Sequence, residues 1–178
     1  MNKYKTIVAD PPWCYRNKKT GGCMKSGSSS HYPVLTTDEI CSLPVSNLSD
    51  KNCVLFLWST VPMLEDGLRV LNSWGFKYKT AIFWRKIMSL GMGFWFRGQV
   101  ELCLMGIRGK VKAFRCQKSN FIQSKVRLHS QKPEEFFQLI EPIIEYPAIE
   151  LFAREKRGGW DAWGNGISEE INLKLEVS

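Results

Sequence analysis

At 178 residues, with 44% hydrophobic and 24% charged side chains, the chain has the make-up of one globular domain, and no apolar run approaches the roughly 20 residues of a membrane helix. Six irregularly spaced cysteines without a Cys-x-x-Cys, and only His31 and His129 beside them, argue against a zinc site, so no metal is expected and reduced thiols in a cytoplasmic setting are the default. The formal net charge is +8, which points towards acidic partners.

In chain order, Tyr4 to Ala9 is a β-prone apolar run and reads as a buried strand. Pro11 and Pro12 stop it at once, because neither donates a ladder hydrogen bond. Asp10-Pro11-Pro12-Trp13 therefore presents a carboxylate, two carbonyls and an indole at a strand's C-terminal end, where open α/β sheets bind ligands. A turn with an incidental aromatic is the competing reading of the tetrapeptide alone. Cys14 to Ser30, rich in Gly, Ser and Lys, is expected to be a mobile loop, and Thr36 to Ile40 a short capped helix. Cys53 to Ser59 reads as a strand covered on both faces. Thr60 is expected to cap a helix with Pro62 in its first turn, Leu64, Leu68 and Leu71 on its inner face and Gly75 as its stop. Phe76 to Trp84 and Val100 to Ile107 read as further strands, whereas the basic segment through Arg127 has no clear assignment. Pro133 suits a first helical position, with Phe136, Phe137, Ile140 and Ile144 inward and Pro142 ending the helix. Ala148 to Ala153 is the last strong strand and Trp160 to Gly166 a short edge strand.

The charge is unevenly spread. Residues 11–37 and 102–133 contain no acid and hold 12 of the 25 basic residues, leaving 13 against 17 acids elsewhere. A single charge run is commonly a solvated face, but two long acid-free segments on an otherwise acidic body favour a polyanion-binding surface. Tyr15, Arg16, Lys18, Lys19, Tyr32, Arg108, Lys110, Lys112 and Arg115 are the candidate substrate contacts. There is no Walker A sequence, no G-x-G-x-x-G and no nucleophile paired with a histidine, so neither a conventional nucleotide cradle nor a hydrolase triad is expected. Glu150 lies in an apolar strand, where an unpaired carboxylate is costly. It either pairs with Arg154 or receives the hydroxyls of a ribose, as acids following a strand often do. Lys132, ahead of a helix N-terminus, is either a surface lysine or the neutraliser of a bound carboxylate or phosphate.

Ala9-Asp10-Pro11-Pro12-Trp13, His31-Tyr32-Pro33, Phe56-Leu57-Trp58, Trp74-Gly75-Phe76, His129-Ser130-Gln131-Lys132-Pro133-Glu134, Glu150-Leu151-Phe152-Ala153-Arg154 and Gly159-Trp160-Asp161-Ala162-Trp163-Gly164-Asn165 occur in this order. This ordered set resembles the MT-A-seventy family of adenine N6 methyltransferases, particularly its short phage and bacterial members, from about Tyr4 to Gly166. The resemblance implies an α/β, Rossmann-like methyltransferase fold: a mostly parallel twisted sheet with helices on both faces and a circularly permuted motif order. It places one methyltransferase domain over residues 1–167, with 168–178 as a tail.

The resemblance implies S-adenosylmethionine as methyl donor, released as S-adenosylhomocysteine. Asp10 and the Pro11-Pro12 backbone would hold the target amine, and Trp13 would form part of the base pocket. Asp10 and Lys132 would lie near the methionine moiety of the cofactor, Glu150 and Arg154 would serve its ribose and Asn165 its adenine, and Phe152 would be a further cofactor contact. DNA is preferred to RNA as the polymer, on the likeness to the short phage-like members. A catalytically silent nucleic-acid-binding subunit is the competing class, although all four residues of the tetrapeptide are present. No separate target-recognition domain is read here, so either a short, loosely read site or a homo- or heterodimeric partner is expected.

Overall fold

The computed structural model describes residues 3–16, 23–24, 34–88, 95–114, 116–126, 131–164 and 167. A seven-stranded sheet organises them. Its strands are β1 (Tyr4–Ala9), β4 (Ser49–Thr60), β5 (Lys77–Ile87), β6 (Val100–Arg108), β7 (Phe121–Lys125), β8 (Ala148–Leu151) and β9 (Asp161–Trp163). Two short strands, β2 (Tyr15–Arg16) and β3 (Cys23–Met24), pair separately and antiparallel. The order across the sheet is β7-β5-β6-β4-β1-β8-β9. β6 alone runs against its neighbours, with antiparallel pairing to both β4 and β5; every other pair is parallel. The mostly parallel α/β sheet expected from the resemblance is therefore present, with one reversed strand inserted where a simple strand–helix–strand unit would place β4 beside β5.

Helices cover both faces. On one, α1 (Thr37–Ser42), α2 (Val45–Leu48) and α3 (Leu64–Ser73) supply Ile40, Leu43, Val45, Leu48, Val70 and Leu71 to a core with Ile7, Ala9, Leu55, Leu57 and Leu104. On the other, α4 (Glu134–Ile140) buries Phe136, Phe137 and Ile140 against Val8, Phe56, Trp58 and Trp84. The alternation along β1 and β4 sends successive side chains to opposite cores, so both strands need apolar residues throughout. No helix among the described residues is long and apolar enough to cross a membrane.

Local signals mostly act as the residues dictate. Thr36 caps α1 in a full capping box with Glu39. Gly75 takes the positive φ of 83° that ends α3. Pro133 proves to be the N-cap of α4 rather than its first residue, in extended conformation. Thr60 makes no side-chain cap; Val61–Met63 form a 3-10 turn instead, and the Thr60 hydroxyl accepts from Tyr15 at 2.8 Å. That turn rotates the following helix, so Gly67, Val70 and Leu71 face inward while Leu64 is exposed. Cys41, Cys53, Cys103 and Cys116 are free thiols, but Cys14 is disulfide-bonded, which corrects the expectation of six reduced cysteines. Disulfides depend on spatial rather than sequence proximity, which the irregular spacing concealed.

Candidate active site

Asp10 is the first residue beyond β1, and its backbone N–H donates to the Leu151 carbonyl at 3.3 Å, anchoring it to the end of β8. The prolines that follow fold tightly. The Pro11 carbonyl accepts from Trp13 N–H at 2.9 Å and the Pro12 carbonyl from Leu35 N–H at 2.8 Å. Each carbonyl keeps a second lone pair for another donor. Trp13 donates its indole N–H to the Trp58 carbonyl at 3.0 Å, at the C-terminal end of β4, and only 7% of its surface is open. It is a fixed wall rather than a free stacking plate.

A chain of four alternating charges runs across this edge. The Lys132 ammonium lies 2.9 Å from an Asp10 carboxylate oxygen and 3.0 Å from Glu101, at the start of β6, and Glu101 also pairs with Lys86 of β5. The Lys132 side chain is 10% exposed and its ammonium stands 4.9 Å over the Trp58 ring. Burial pushes the Asp10 carboxyl up, and Glu101 adds to that rise while Lys132 opposes it. For Glu101 burial is again the largest influence and upward, yet the two ammonium groups outweigh it and hold the carboxyl below its ordinary value. For Lys132 burial acts downward, but Asp10 and Glu101 overcome it and raise the ammonium's pKa. The cluster is thus a buried unit of alternating charges that fixes the Asp10 carboxyl in position.

A cavity of about 270 Å³ opens beside Asp10 and Lys132 and is lined further by Glu150, Phe152, Arg154 and Arg157. Phe152, with a φ of 63°, turns the chain away as β8 ends and packs its ring edge-on against Trp163 of β9. Glu150 is pushed up to about 7, first by burial and then by the neighbouring Asp10 charge, with Arg157 and Lys132 opposing. Glu150 and Arg154, weighed from sequence as an ion pair, both line this cavity. Arg157 is clamped by Glu134 through bonds of 3.0 and 2.7 Å and stacks 3.7 Å from the Phe137 ring centroid. Just after β9, Gly164 passes so close to the segment following β8 that a Cβ there would stand 2.0 Å from the Ala153 carbonyl oxygen.

The structure thus brings together Asp10, Pro11, Pro12, Trp13, Lys132, Glu150, Phe152 and Arg154. Tyr15 joins them near the edge, its hydroxyl held by Thr60 and its pKa raised by burial. Lys18, Lys19, Tyr32, Arg115 and Asn165 lie outside the described residues, as does the side chain of Arg16. Arg108 and Lys110 are not beside Asp10. Antiparallel β6 begins with Glu101 at the active edge and ends with Arg108, seven residues and about 24 Å further at roughly 3.4 Å per residue. There Arg108 donates to the Ser46 carbonyl at 2.8 Å, and the Lys110 backbone N–H donates to the Asn52 side chain. Glu101, Lys86 and Arg157 were not foreseen; an acid opening an otherwise apolar run, Glu101 to Ile107, was the available signal for the first.

Comparison with known proteins agrees with this geometry. The MT-A70 family model matches residues 4–166. The type II methyltransferase M.MunI of Mycoplasma sp is 33% identical over 196 residues, covering 98% of this chain and 81% of that protein. The N(6)-adenosine-methyltransferase catalytic subunit METTL3 of Homo sapiens is 31% identical, covering 94% of this chain and 29% of that protein. The N(6)-adenosine-methyltransferase MT-A70-like of Arabidopsis thaliana is 30% identical over the same share of this chain and 24% of its own length.

Proposed function

This chain belongs to the MT-A70 family of adenine N6 methyltransferases, and we propose that it methylates the exocyclic N6 amine of adenine in DNA, with the base held at Asp10-Pro11-Pro12-Trp13. The observation that carries the reading is the buried ion pair between Asp10 and Lys132 at the mouth of the cavity. S-adenosylmethionine, the family's donor, supplies an electrophilic methyl carried on a sulfonium. The cavity suits that molecule chemically: Lys132 would complement its carboxylate, Glu150 and Arg154 would serve its ribose hydroxyls, and Phe152 would give an apolar wall. DNA is favoured because the likeness to M.MunI spans four-fifths of that protein, whereas the adenosine methyltransferases are matched over less than a third of their length. RNA remains the alternative polymer.

The N6 nitrogen of adenine is a weak nucleophile because its lone pair is delocalised into the ring. Asp10 accepts one N–H and the free lone pair of the Pro11 carbonyl accepts the other, which turns the nitrogen lone pair out of the ring plane. Lys132 and Glu101 lock the Asp10 carboxylate in position, and the Leu151 carbonyl locks its backbone. Catalysis then rests on alignment, whose loss by about 1 Å costs roughly a hundredfold in rate. Asp10, already bonded to the nitrogen, is placed to take the proton released as the new N–C bond forms. Extruding the base from a duplex costs a few kcal/mol, which contacts at the edge around Tyr15 and Trp13 help offset.

The test is incubation with labelled methyl donor and matched DNA and RNA, beside an Asp10→Ala control. Label entering DNA only with the intact enzyme supports the reading. Label preferring RNA overturns the polymer, and equal label in enzyme and control overturns the site. Cofactor binding by calorimetry separates an active enzyme from a silent subunit, which would bind none.

A further inference from the structure

The two faces of the sheet are covered unevenly. On the face of α1 and α3 the covering reaches Ala81 of β5 and thins beyond it, so β5 and β7 present Tyr78, Phe83 and Phe121, which are 46%, 39% and 49% exposed. Phe83 and Phe121 are direct register partners on parallel neighbours, so their rings share one face. Arg85 and Gln123 form the next pair, joined by a 3.2 Å hydrogen bond, and Lys125 lies opposite Ile87. On the reverse face Trp84 and Ile122 are buried, so the strands are amphipathic and only this side is open.

Tyr78 and Phe83 are five residues apart, and in a regular strand they would point to opposite faces. The register shift between Tyr78 and Thr80 inserts one extra residue, which returns Tyr78 to the open face. Tyr78 pairs there with Gly106, whose Cβ position meets Leu71 of α3, fixing which face this is. Neither strand contains an acid, while β5 carries Lys77, Lys79, Arg85 and Lys86 and β7 carries Lys125. The strand direction also matters: β5 and β7 run parallel to β4, so Arg85 and Lys125 lie toward the Asp10 edge. Lys86, the residue after Arg85, is the last member of the charge chain that reaches Asp10.

We propose that this open face is a stacking platform for unpaired nucleotides flanking the target base, with Phe83, Phe121 and Tyr78 under the bases and Arg85 and Lys125 on the phosphates. Half-exposed aromatic rings interleaved with cations are what a single strand requires, and stacking accepts any base because each has a π-face. A second copy of the chain would set the same cations against one another, which disfavours it as the occupant. The platform rests on the nucleic-acid reading of the active edge. It goes beyond that reading by assigning a second, non-catalytic contact to a different pair of strands.

The experiment is fluorescence anisotropy of a labelled single-stranded oligonucleotide with the wild type, Phe83→Ala/Phe121→Ala, and Phe83→Tyr/Phe121→Tyr, with cofactor affinity and melting temperature measured alongside. The alanine pair is expected to bind the strand about tenfold or more weakly, with cofactor affinity and kcat kept and KM raised, and the tyrosine pair to bind as the wild type does. Unchanged strand affinity in the alanine pair overturns the platform. So does a wild type that is dimeric by light scattering and becomes monomeric in the alanine pair, because a second copy would then cover the face. A wild type that binds the strand but methylates no nucleic acid sinks the proposed function instead, so the two failures are distinguishable.

Discussion

Lys132 holds its ammonium 2.9 Å from an Asp10 carboxylate oxygen in a setting that leaves only 10% of the lysine side chain exposed. Removing one partner of such a buried pair strands the other, at a typical cost of about 3–5 kcal/mol. Lys132→Met is therefore expected to lower stability by that order in denaturant titrations. It also leaves Asp10 beside Glu101 with no intervening cation, so the Asp10 carboxyl is driven further up and Glu101 loses one of the two cations that hold its carboxyl down. Methyl transfer should fall about a hundredfold, and the alkaline pH needed for residual activity should rise. A Lys132→Met enzyme with the wild-type pH profile would contradict the assigned role.

Glu150 titrates near 7 in the folded chain because burial and Asp10 disfavour its charge. Its unfolded value is near 4.5, so the folded state binds the extra proton between those limits. The stability this contributes is fully present below about pH 4.5 and is lost as pH rises through about 7. Glu150→Gln should thus melt higher than the wild type at pH 8 and about equally at pH 5. Cofactor affinity, which needs the carboxylate as acceptor, should rise from pH 6 to 8 in the wild type and stay flat in the variant. Calorimetry at the two pH values checks both.

Arg157 joins the loop after β8 to α4 through its paired bonds with Glu134 and its stack on Phe137. Glu134 is 43% exposed, so solvent screening discounts the ion pair and leaves about 1–2 kcal/mol for the pair and stack together. Arg157→Ala should lower the melting temperature by about 3–6 °C at a few degrees per kcal/mol. Arg157→Lys should recover little, because an ammonium does not reproduce the planar two-bond fork. Differential scanning fluorimetry at low and high salt separates the ionic share from the stack.

Gly164 is held against the Ala153 backbone, where an added methyl would collide with a carbonyl oxygen rather than a side chain. β8 and β9 must move apart to accept it, since Ala153 N–H bonds the Trp163 carbonyl at 2.9 Å across the same contact. Gly164→Ala should cost about 1–3 kcal/mol and weaken cofactor binding through displacement of Phe152 and Trp163. Retention of full cofactor affinity would show that β9 does not shape the cavity.

Much of the site was legible because its signals are local. Two prolines after an apolar run can only end a strand, and that strand's end is the active edge. Glu150 stood out as an acid in an apolar strand, and the structure makes it a perturbed carboxylate lining the cavity. Glu101 and Lys86 were missed because their role depends on β6 being inserted between β4 and β5, a pairing no local pattern specifies. The same insertion decides where Arg108 and Lys110 sit. A basic run gives charge but not direction, and antiparallel β6 carries these residues to the end of the sheet remote from Asp10. The open face of β5 and β7 was equally hidden, since its aromatic alignment depends on a one-residue bulge at Lys79.

Nucleoside mass spectrometry of digested DNA after reaction tests the central claim most directly. With the wild type and S-adenosylmethionine, N6-methyldeoxyadenosine should accumulate, and with Asp10→Ala, assayed at a temperature where circular dichroism shows the variant folded, it should be absent. Methylation appearing on another base, or equally in both proteins, would contradict the assignment of Asp10-Pro11-Pro12-Trp13 as the adenine amine site.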